Sequence, residues 1–416
     1  MRPAPGAAPM EPKRAMTTIT TPPMTPTAPE RMVVNIGPQH PATHGTFRIE
    51  CVLEGERIIE SRTEIGYLHR CFEKMSETHD YWGVIPYTDR LNYCSPMING
   101  VGYAMAVEKL LGITIPRRAQ YIRVILSELS RIMDHMVCVG TSLVDLGAIT
   151  NFWYSFRARE VIYDLLEACC GSRLTVSYVR IGGLAADLPP GWVERCRKLI
   201  RKDIPQAISE LDTLNLKNPI FRLRGQGVGV MPRERAIAWG WTGPCARASG
   251  VDYDVRRDIP YYDYDQFDWI VPVEQGGDVF SRYQVRMEEM RQSLRIIEQY
   301  LDHLPDGPVI VDDRRIALPP KNEVYTNIEA LMAHFKLIMH GILPPPGEVY
   351  SCVEGGNGEL GFTIISDGTR KPYRVKVRPP CFAVFQAFDE MLRGIVIADV
   401  VAILGSLNII AGELDR

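Results

Sequence analysis

RRAQYIRVILSELSRIMDHMVCVGTSLVDLG, residues 117–147, places Ile122, Ile125, Leu129, Ile132, Met133 and Met136 at three- and four-residue intervals. Apolar residues so spaced line one face of an α-helix. Pro116 stands at or just before the first turn, where a missing N–H costs nothing and φ is already near the helical value. Near the far end Asp145 sits in an otherwise apolar run. A buried carboxylate is costly unless it is paired or hydrogen-bonded. Asp145 therefore either caps the helix or needs a partner, for which a histidine is a natural choice.

Helical spacing continues outward on both sides of this stretch. It predicts helices at 66–80, 95–111, 152–170, 190–214, 278–302 and 327–340. Toward the N-terminus TFRIECVLEGERIIESRTEIG, residues 46–66, reads as two strands closed by a tight turn at Glu54-Gly55. Toward the C-terminus the Pro344-Pro345-Pro346 break is followed by EVYSCV, LGFTIIS and PYRVKVR, three strands with turns at Gly355-Gly356 and Asp367-Gly368. The stretch from Phe382 onward is apolar and partly helical. Residues 1–31 are rich in Pro, Thr and Ala and poor in large apolar groups, so they cannot offset their ordering entropy and are expected to be disordered. The prolines argue against an amphipathic transit peptide there. No internal repeat is present. The result is an α+β chain with a dominant helical core: an extension at 1–31, a β region at 32–66, a helical core at 67–343, and a strand-rich segment with a buried C-terminal helix at 344–416.

Composition narrows the function classes. Of 416 residues, 47 are basic and 50 acidic, and a net charge of −3 gives no field that would recruit nucleic acid or an anionic membrane over the whole surface. The ten cysteines contain no CxxC pair, and the chain shows no secretory signal, the pattern of reduced thiols in a cytosol-like compartment. Spanning a bilayer takes roughly 20 uninterrupted apolar residues. The best stretch, residues 394–412, is broken by Asp399 and Asn408, so spanning is not expected and a peripheral position stays open.

Four segments are candidates for chemistry. In NIGPQHPATHGTFR, residues 35–48, His40 and His44 are four apart, which on a helix would make a metal pair. Pro38, Pro41 and Gly45 forbid a regular helix, so the loop either simply turns on its histidines or presents His44 rigidly to a ligand. In YTDRLNYCS, residues 87–95, Asn92 or Ser95 fits an N-cap and Pro96 a first turn. Tyr87 and Tyr93 are there either as packing residues or as functional phenols, and Arg90 by itself is an ordinary surface cation. Asp145 is the third candidate. The fourth, SRYQVRMEEMRQSLRIIEQY at 281–300, is amphipathic with interleaved charges, the pattern of a solvated helix face with i,i+4 pairs. A Walker loop, GxGxxG after a strand, GxSxG and a cysteine-rich cluster signature are all missing from the sequence, which argues against NADH binding and iron–sulfur ligation within this chain.

In chain order, GPQHPATHG (37–45), EIGYLHRCFEK (64–74), YTDRLNY (87–93), AMAVEKLLG (104–112), SLVDLGAITNFW (142–153), GDVFSRYQVRMEEMRQSLRIIEQ (277–299), SDGTRKPYRVKVR (366–378) and GELDR (412–416) resemble the D-type subunit of respiratory complex I, which is quinone-binding and hydrogenase-large-subunit-like. The resemblance runs from about residue 33 to the C-terminus. It implies a nickel–iron-hydrogenase-large-subunit-like fold without a metal centre, in a subunit of proton-pumping NADH:quinone oxidoreductase that is active only within the complex. It further implies that His44 and Tyr93 hold and protonate the quinone headgroup, with Asp145 paired to His44. Arg70 and Arg90 would face a 4Fe-4S cluster held by a neighbouring small subunit, and His40, Asp399 and Arg393 would lie near the site. The implied partners are that small subunit, other peripheral-arm subunits, membrane-arm subunits and membrane quinone, with no nucleic acid and no metal or flavin on this chain. The implied place is the cytoplasmic face of the bacterial inner membrane, with the matrix side of the mitochondrial inner membrane second.

Elementary physics agrees with those roles. A quinone gaining two electrons must gain two protons, or charge accumulates at low dielectric; a phenol and an imidazole can supply them. A cation about 10 Å from a cluster, at an effective dielectric near 20, contributes about 1.7 kcal/mol, roughly 70 mV in favour of reduction. Two departures stand out. The related hydrogenases carry two CxxC pairs for their metal, whereas here Cys94 stands alone in that neighbourhood and Cys71 occupies a position usually held by glycine. Relatives commonly have a titrating histidine where GSRLTVSY (171–178) has Thr175, which predicts a cluster potential that responds little to pH. Alternatives are the same subunit in a ferredoxin-fed relative of the complex, an assembly scaffold without quinone chemistry, and a free-standing metalloenzyme using His40 and His44.

Overall fold

The computed structural model describes residues 31–416. The disorder expected of the N-terminal extension lies outside the described residues, except at Arg31, which begins the first strand.

The chain is a mixed helix-and-strand protein in which helices form the centre and the sheets are small. Its axis is the helix Arg117–Asp145, entered through Pro116. It packs against Pro96–Leu111, Ile149–Cys170, Val279–Asp302 and Val400–Leu407. The predicted stripe from Ile122 to Met136 is fully buried. The opposite face is buried as well: Arg123, Glu128, Arg131, Asp134 and His135 have lost essentially all contact with solvent. The helix Val279–Asp302 departs from expectation in the same way, because Arg282, Arg286 and Glu289 lie inside rather than on a solvated face. Glu128 pairs with Arg131 one turn on and with distant Arg256, Glu289 pairs with distant Arg247, and Arg282 and Arg286 donate to carbonyls and to Ser406.

Other helices follow the periodicity, with instructive exceptions. The 66–80 prediction shrinks to Phe72–Thr78, because the preceding residues are drawn into bonds with the C-terminus. The 190–214 prediction is interrupted: Trp192–Lys198 passes through a π turn at Leu199–Asp203 into Ile204–Asn215. Pro205 has no N–H for the carbonyl four residues back, and the wider turn accommodates the loss.

In the N-terminal sheet Arg48–Glu54 pairs antiparallel with Arg57–Glu64, as predicted, and with a further strand, Arg31–Ile36, on its other edge. Ile49, Cys51, Leu53 and Ile58 fill its inner face. This sheet docks on Phe388–Leu392, where the Asp389 carboxylate accepts from Ser61 Oγ (3.0 Å) and Thr63 Oγ1 (3.1 Å). The second sheet, Gly347–Gly355, Gly358–Ser366 and Arg374–Arg378, packs on Pro96–Leu111. The apolar interior therefore has two bodies, a large helical one and a smaller one made by the N-terminal sheet and residues 381–414. Among the described residues no helix is long and apolar enough to cross a membrane.

Candidate functional site

The loop before the second strand is shaped by its own side chains. His40 caps a single 3-10 turn, Pro41–Thr43, with Nδ1 accepting from the Ala42 N–H at 3.2 Å. Buried Thr43 donates to the carbonyls of Pro38 (3.0 Å) and His40 (2.9 Å). His44 then adopts the left-handed region at φ +53°, uncommon for a residue with a Cβ. Phe47 anchors the loop edge-on against Phe385, ring centroids 4.9 Å apart. The His44 ring keeps solvent-accessible surface, yet the protein crowds it. That desolvation lowers its pKa, partly offset by the Ile409 backbone, and favours the neutral imidazole near neutral pH.

Tyr93 is half-buried against the smaller core, between buried Asn92 and Cys94. Burial pushes its phenol up to about 12; the Cys94 and Cys381 thiols add to the shift and the Arg70 guanidinium opposes it. Such a phenol donates hydrogen bonds well and parts with its proton reluctantly.

Arg70 and Arg90 are exposed and interlocked. The Arg70 guanidinium donates to the carbonyls of Arg90 (2.6 Å) and Gly412 (3.4 Å), while that of Arg90 donates to the Pro86 carbonyl. The C-terminus fixes this corner. The Asp415 carboxylate accepts from the Gly66 N–H (3.0 Å) and the Leu68 N–H (2.8 Å), and His69 Nδ1 donates to the Asp415 carbonyl at 2.7 Å. The terminal helix backbone comes so close that a Cβ on Gly412 would meet the Arg90 and Leu91 carbonyls at 2.6 Å. His44 and Arg70 thus meet one stretch, residues 408–412, His44 at Ile409 and Arg70 at Gly412, and Tyr93 lies within electrostatic reach of Cys381, whose Sγ donates to the Asn408 carbonyl at 3.7 Å.

Asp145 is also half-buried, its pKa pushed up to about 6 by burial and held back by His40. The charge of His40 is thus felt at Asp145. The 3-10 turn between His40 and His44 and the left-handed backbone at 44 send their rings to different neighbours. Asp399 pairs instead with Arg224 (3.1 Å), and Arg393 is exposed at the end of Phe388–Leu392, its charge felt by Glu390. Among the described residues, no hydrogen bond or ion pair of either one reaches Tyr93, His44 or Asp145.

Sequence reasoning passed over a buried polar cluster behind Tyr93: Asp134, Asn357, Cys381, Asn408 and Glu413. Burial, with the nearby Asp134 charge adding, lifts the Glu413 carboxyl to about 7. The one available signal was polar residues inside apolar runs. Ser95, read as a helix cap, makes no capping bond and donates to Asp134 instead. Among the described residues no group of His, Cys, Asp or Glu is arranged to hold a metal. Two clefts of about 650 and 550 Å³ are lined by neither Tyr93, His44 nor Asp145.

Residues 145–416 match the family model described as respiratory-chain NADH dehydrogenase, 49 Kd subunit. The chain is 54% identical to the C/D-type subunit of NADH-quinone oxidoreductase from Bdellovibrio bacteriovorus, over 92% of this chain and 68% of that protein. It is 52% identical to the D 1 subunit of the Sorangium cellulosum oxidoreductase, over 93% and 96%, and 49% identical to the D-type subunit from Myxococcus xanthus, over 93% of each.

Proposed function

The chain belongs to the 49 kDa subunit family of respiratory-chain NADH dehydrogenase, the D-type subunits of NADH-quinone oxidoreductase, and from that premise we propose that its own part in the complex is the quinone-reduction site. The observation that carries this is that an imidazole and a guanidinium meet residues 408–412, with a phenol in electrostatic reach of Cys381, which donates to that stretch.

In this proposal quinone is the substrate, entering from the membrane, and electrons arrive from a 4Fe-4S cluster on a neighbouring small subunit. Tyr93 donates a hydrogen bond to one quinone carbonyl and, as negative charge develops there, passes its proton. Its raised pKa makes that transfer uphill until the charge has arrived, which couples the proton to the electron. His44, largely neutral at rest, takes up a proton as the headgroup becomes negative and serves the second carbonyl. Asp145 acts on the same loop through His40, as a negative charge that appears above about pH 6. Arg70 and Arg90, exposed and locked to one another, present two cations to the cluster-bearing partner and favour its reduction. Asp399 and Arg393 border the site through residues 393–400 rather than touching the headgroup.

The finer fold assignment belongs to this proposal too: a nickel–iron-hydrogenase-large-subunit-like chain, divided near residues 31, 66 and 343, that has no cysteine pairs for a metal and keeps Cys94 buried. So do its other peripheral-arm and membrane-arm partners and its place at the cytoplasmic face of a bacterial inner membrane.

The test is quinone reductase activity of membranes carrying Tyr93→Phe, with NADH:ferricyanide activity as the upstream control. Lost quinone reduction with normal ferricyanide activity supports the assignment. Wild-type quinone reduction sinks it and favours a scaffold.

A further inference from the structure

Asp134 lies on the central helix with no solvent contact. Its Oδ2 accepts from Asn92 Nδ2 at 2.7 Å and from Ser95 Oγ at 2.9 Å, and its Oδ1 accepts from Asn408 Nδ2 at 2.8 Å. Asn92 and Ser95 flank Tyr93, one residue before it and two after. Asn408 immediately precedes Ile409, whose backbone faces His44. One carboxylate thus holds both walls of the proposed headgroup site. We infer that Asp134 is a positioning residue for quinone, fixing the Tyr93 segment against the Asn408–Ile409 segment; this rests on the quinone-site assignment above.

The surroundings make the clamp rigid. A Cβ on Gly356 would stand 2.1 Å from Asp134 Oδ2, so the turn of the second sheet closes directly over the carboxylate. Asn408 Nδ2 also donates to Asn357 Oδ1 at 2.7 Å, which joins that turn to the clamp. The next residue, His135, is fixed through Nε2 to Glu289 at 2.8 Å, so the helix cannot rotate to relax the carboxylate. A buried acceptor satisfied by three donors from two separate chain segments holds their spacing tightly, because any drift leaves a polar group unpaired at low dielectric. When the two walls drift apart, the contacts they offer the headgroup weaken in ground and transition states alike, which raises KM more than it lowers kcat.

Asp134→Asn replaces one acceptor oxygen by a donor that faces other donors, while Tyr93 and His44 themselves are retained. In membranes holding the assembled complex, assayed with a short-chain ubiquinone analogue, the expected result is a KM raised about tenfold and a kcat lowered less than threefold. NADH:ferricyanide activity stays at the wild-type level. A role in folding alone lowers kcat and ferricyanide activity together and leaves KM unchanged, and that outcome overturns the inference. If Asp134→Asn does not assemble, Ser95→Ala, which removes one arm of the clamp, decides the question. A several-fold rise in KM upholds the inference, and a wild-type KM overturns it. Tyr93→Phe run alongside separates the two levels. If it is inactive while KM is normal in both clamp variants, the positioning role fails and the site stands. If it reduces quinone normally, the site assignment fails and takes the inference with it.

Discussion

Two regions of this molecule handle charge in opposite ways. Around the middle of the central helix, several buried charges meet opposite charges at close range. Glu128 meets Arg131 and Arg256, each at 3.1 Å, and accepts from Tyr264 Oη and Ser293 Oγ, each at 2.7 Å. Arg247 lies within 2.7 Å of Glu289, 2.9 Å of Glu354 and 3.3 Å of Asp254. With such company the Glu128 carboxyl is held down at about 2 in spite of its burial. At the loop and tail the reverse holds. Asp145, His44 and Tyr93 are each partly desolvated without a full set of partners, and each is displaced toward its neutral form. Close opposite charges keep Glu128 ionised, whereas Glu354, which shares Arg247 with two other carboxylates, is raised to about 7 by burial and the Asp254 charge.

The comparison breaks if the charge-paired region proves dispensable. Arg247→Met leaves three buried carboxylates without their shared cation, a loss of roughly 3–5 kcal/mol against a typical domain stability of about 5–15 kcal/mol. The expected outcome is failure of the subunit to accumulate in the complex, measured by immunoblot and by joint loss of quinone and ferricyanide activities. Normal assembly would show that the network is not structural. Next in size, Tyr93→Phe should lower quinone reduction about 100-fold or more, the scale of a lost proton donor, with the protein level unchanged.

Asp145 sharpens the contrast through pH. Its carboxyl is raised above the ordinary value to about 6, so it is charged above that pH and neutral below it. Quinone reduction should therefore decline as pH falls through about 6. Asp145→Asn should be slower by about tenfold at pH 7.5 and show no such decline; persistence of the acid limb in the variant would remove Asp145 from the chemistry. The same raised pKa has a stability sign: its contribution is present below the ordinary carboxylate range and is lost as pH rises through about 6. The smallest effect concerns Thr175, near Ser177, which Asp89 holds through its N–H (2.6 Å) and Oγ (2.8 Å) next to Arg90. An EPR redox titration of the partner's cluster should show little pH dependence in the wild type and, in Thr175→His, a slope approaching roughly 60 mV per pH unit. A steep slope in the wild type would mean that the titrating group lies elsewhere.

How much of this was legible in advance differs from residue to residue. Ile122 to Met136 announced a helix, and EVYSCV with LGFTIIS announced a hairpin, because both signals are local and periodic. The strand Arg31–Ile36 was not seen, since four of its six residues are exposed and its identity comes from pairing with Arg48–Glu54. His44, Tyr93, Asp145, Arg70 and Arg90 were singled out from motifs. For Asp145 the charge of His40 is also felt, a neighbour the expected pairing with His44 did not include, because a 3-10 turn and one left-handed residue are not readable from a spacing of four. Asp134 was missed altogether, looking like any polar residue on an amphipathic helix.

By itself the sequence determined what depends on neighbours in the chain: where helices and strands run, which segments are apolar, and which motifs place the chain in its family. The tertiary structure decided which charges are buried and what each one meets. Asp134 is 42 residues from Asn92, 39 from Ser95 and 274 from Asn408. The cost of burying a charge, and the attraction that offsets it, depend on distance through space and on local dielectric, and neither is recorded in the order of the residues.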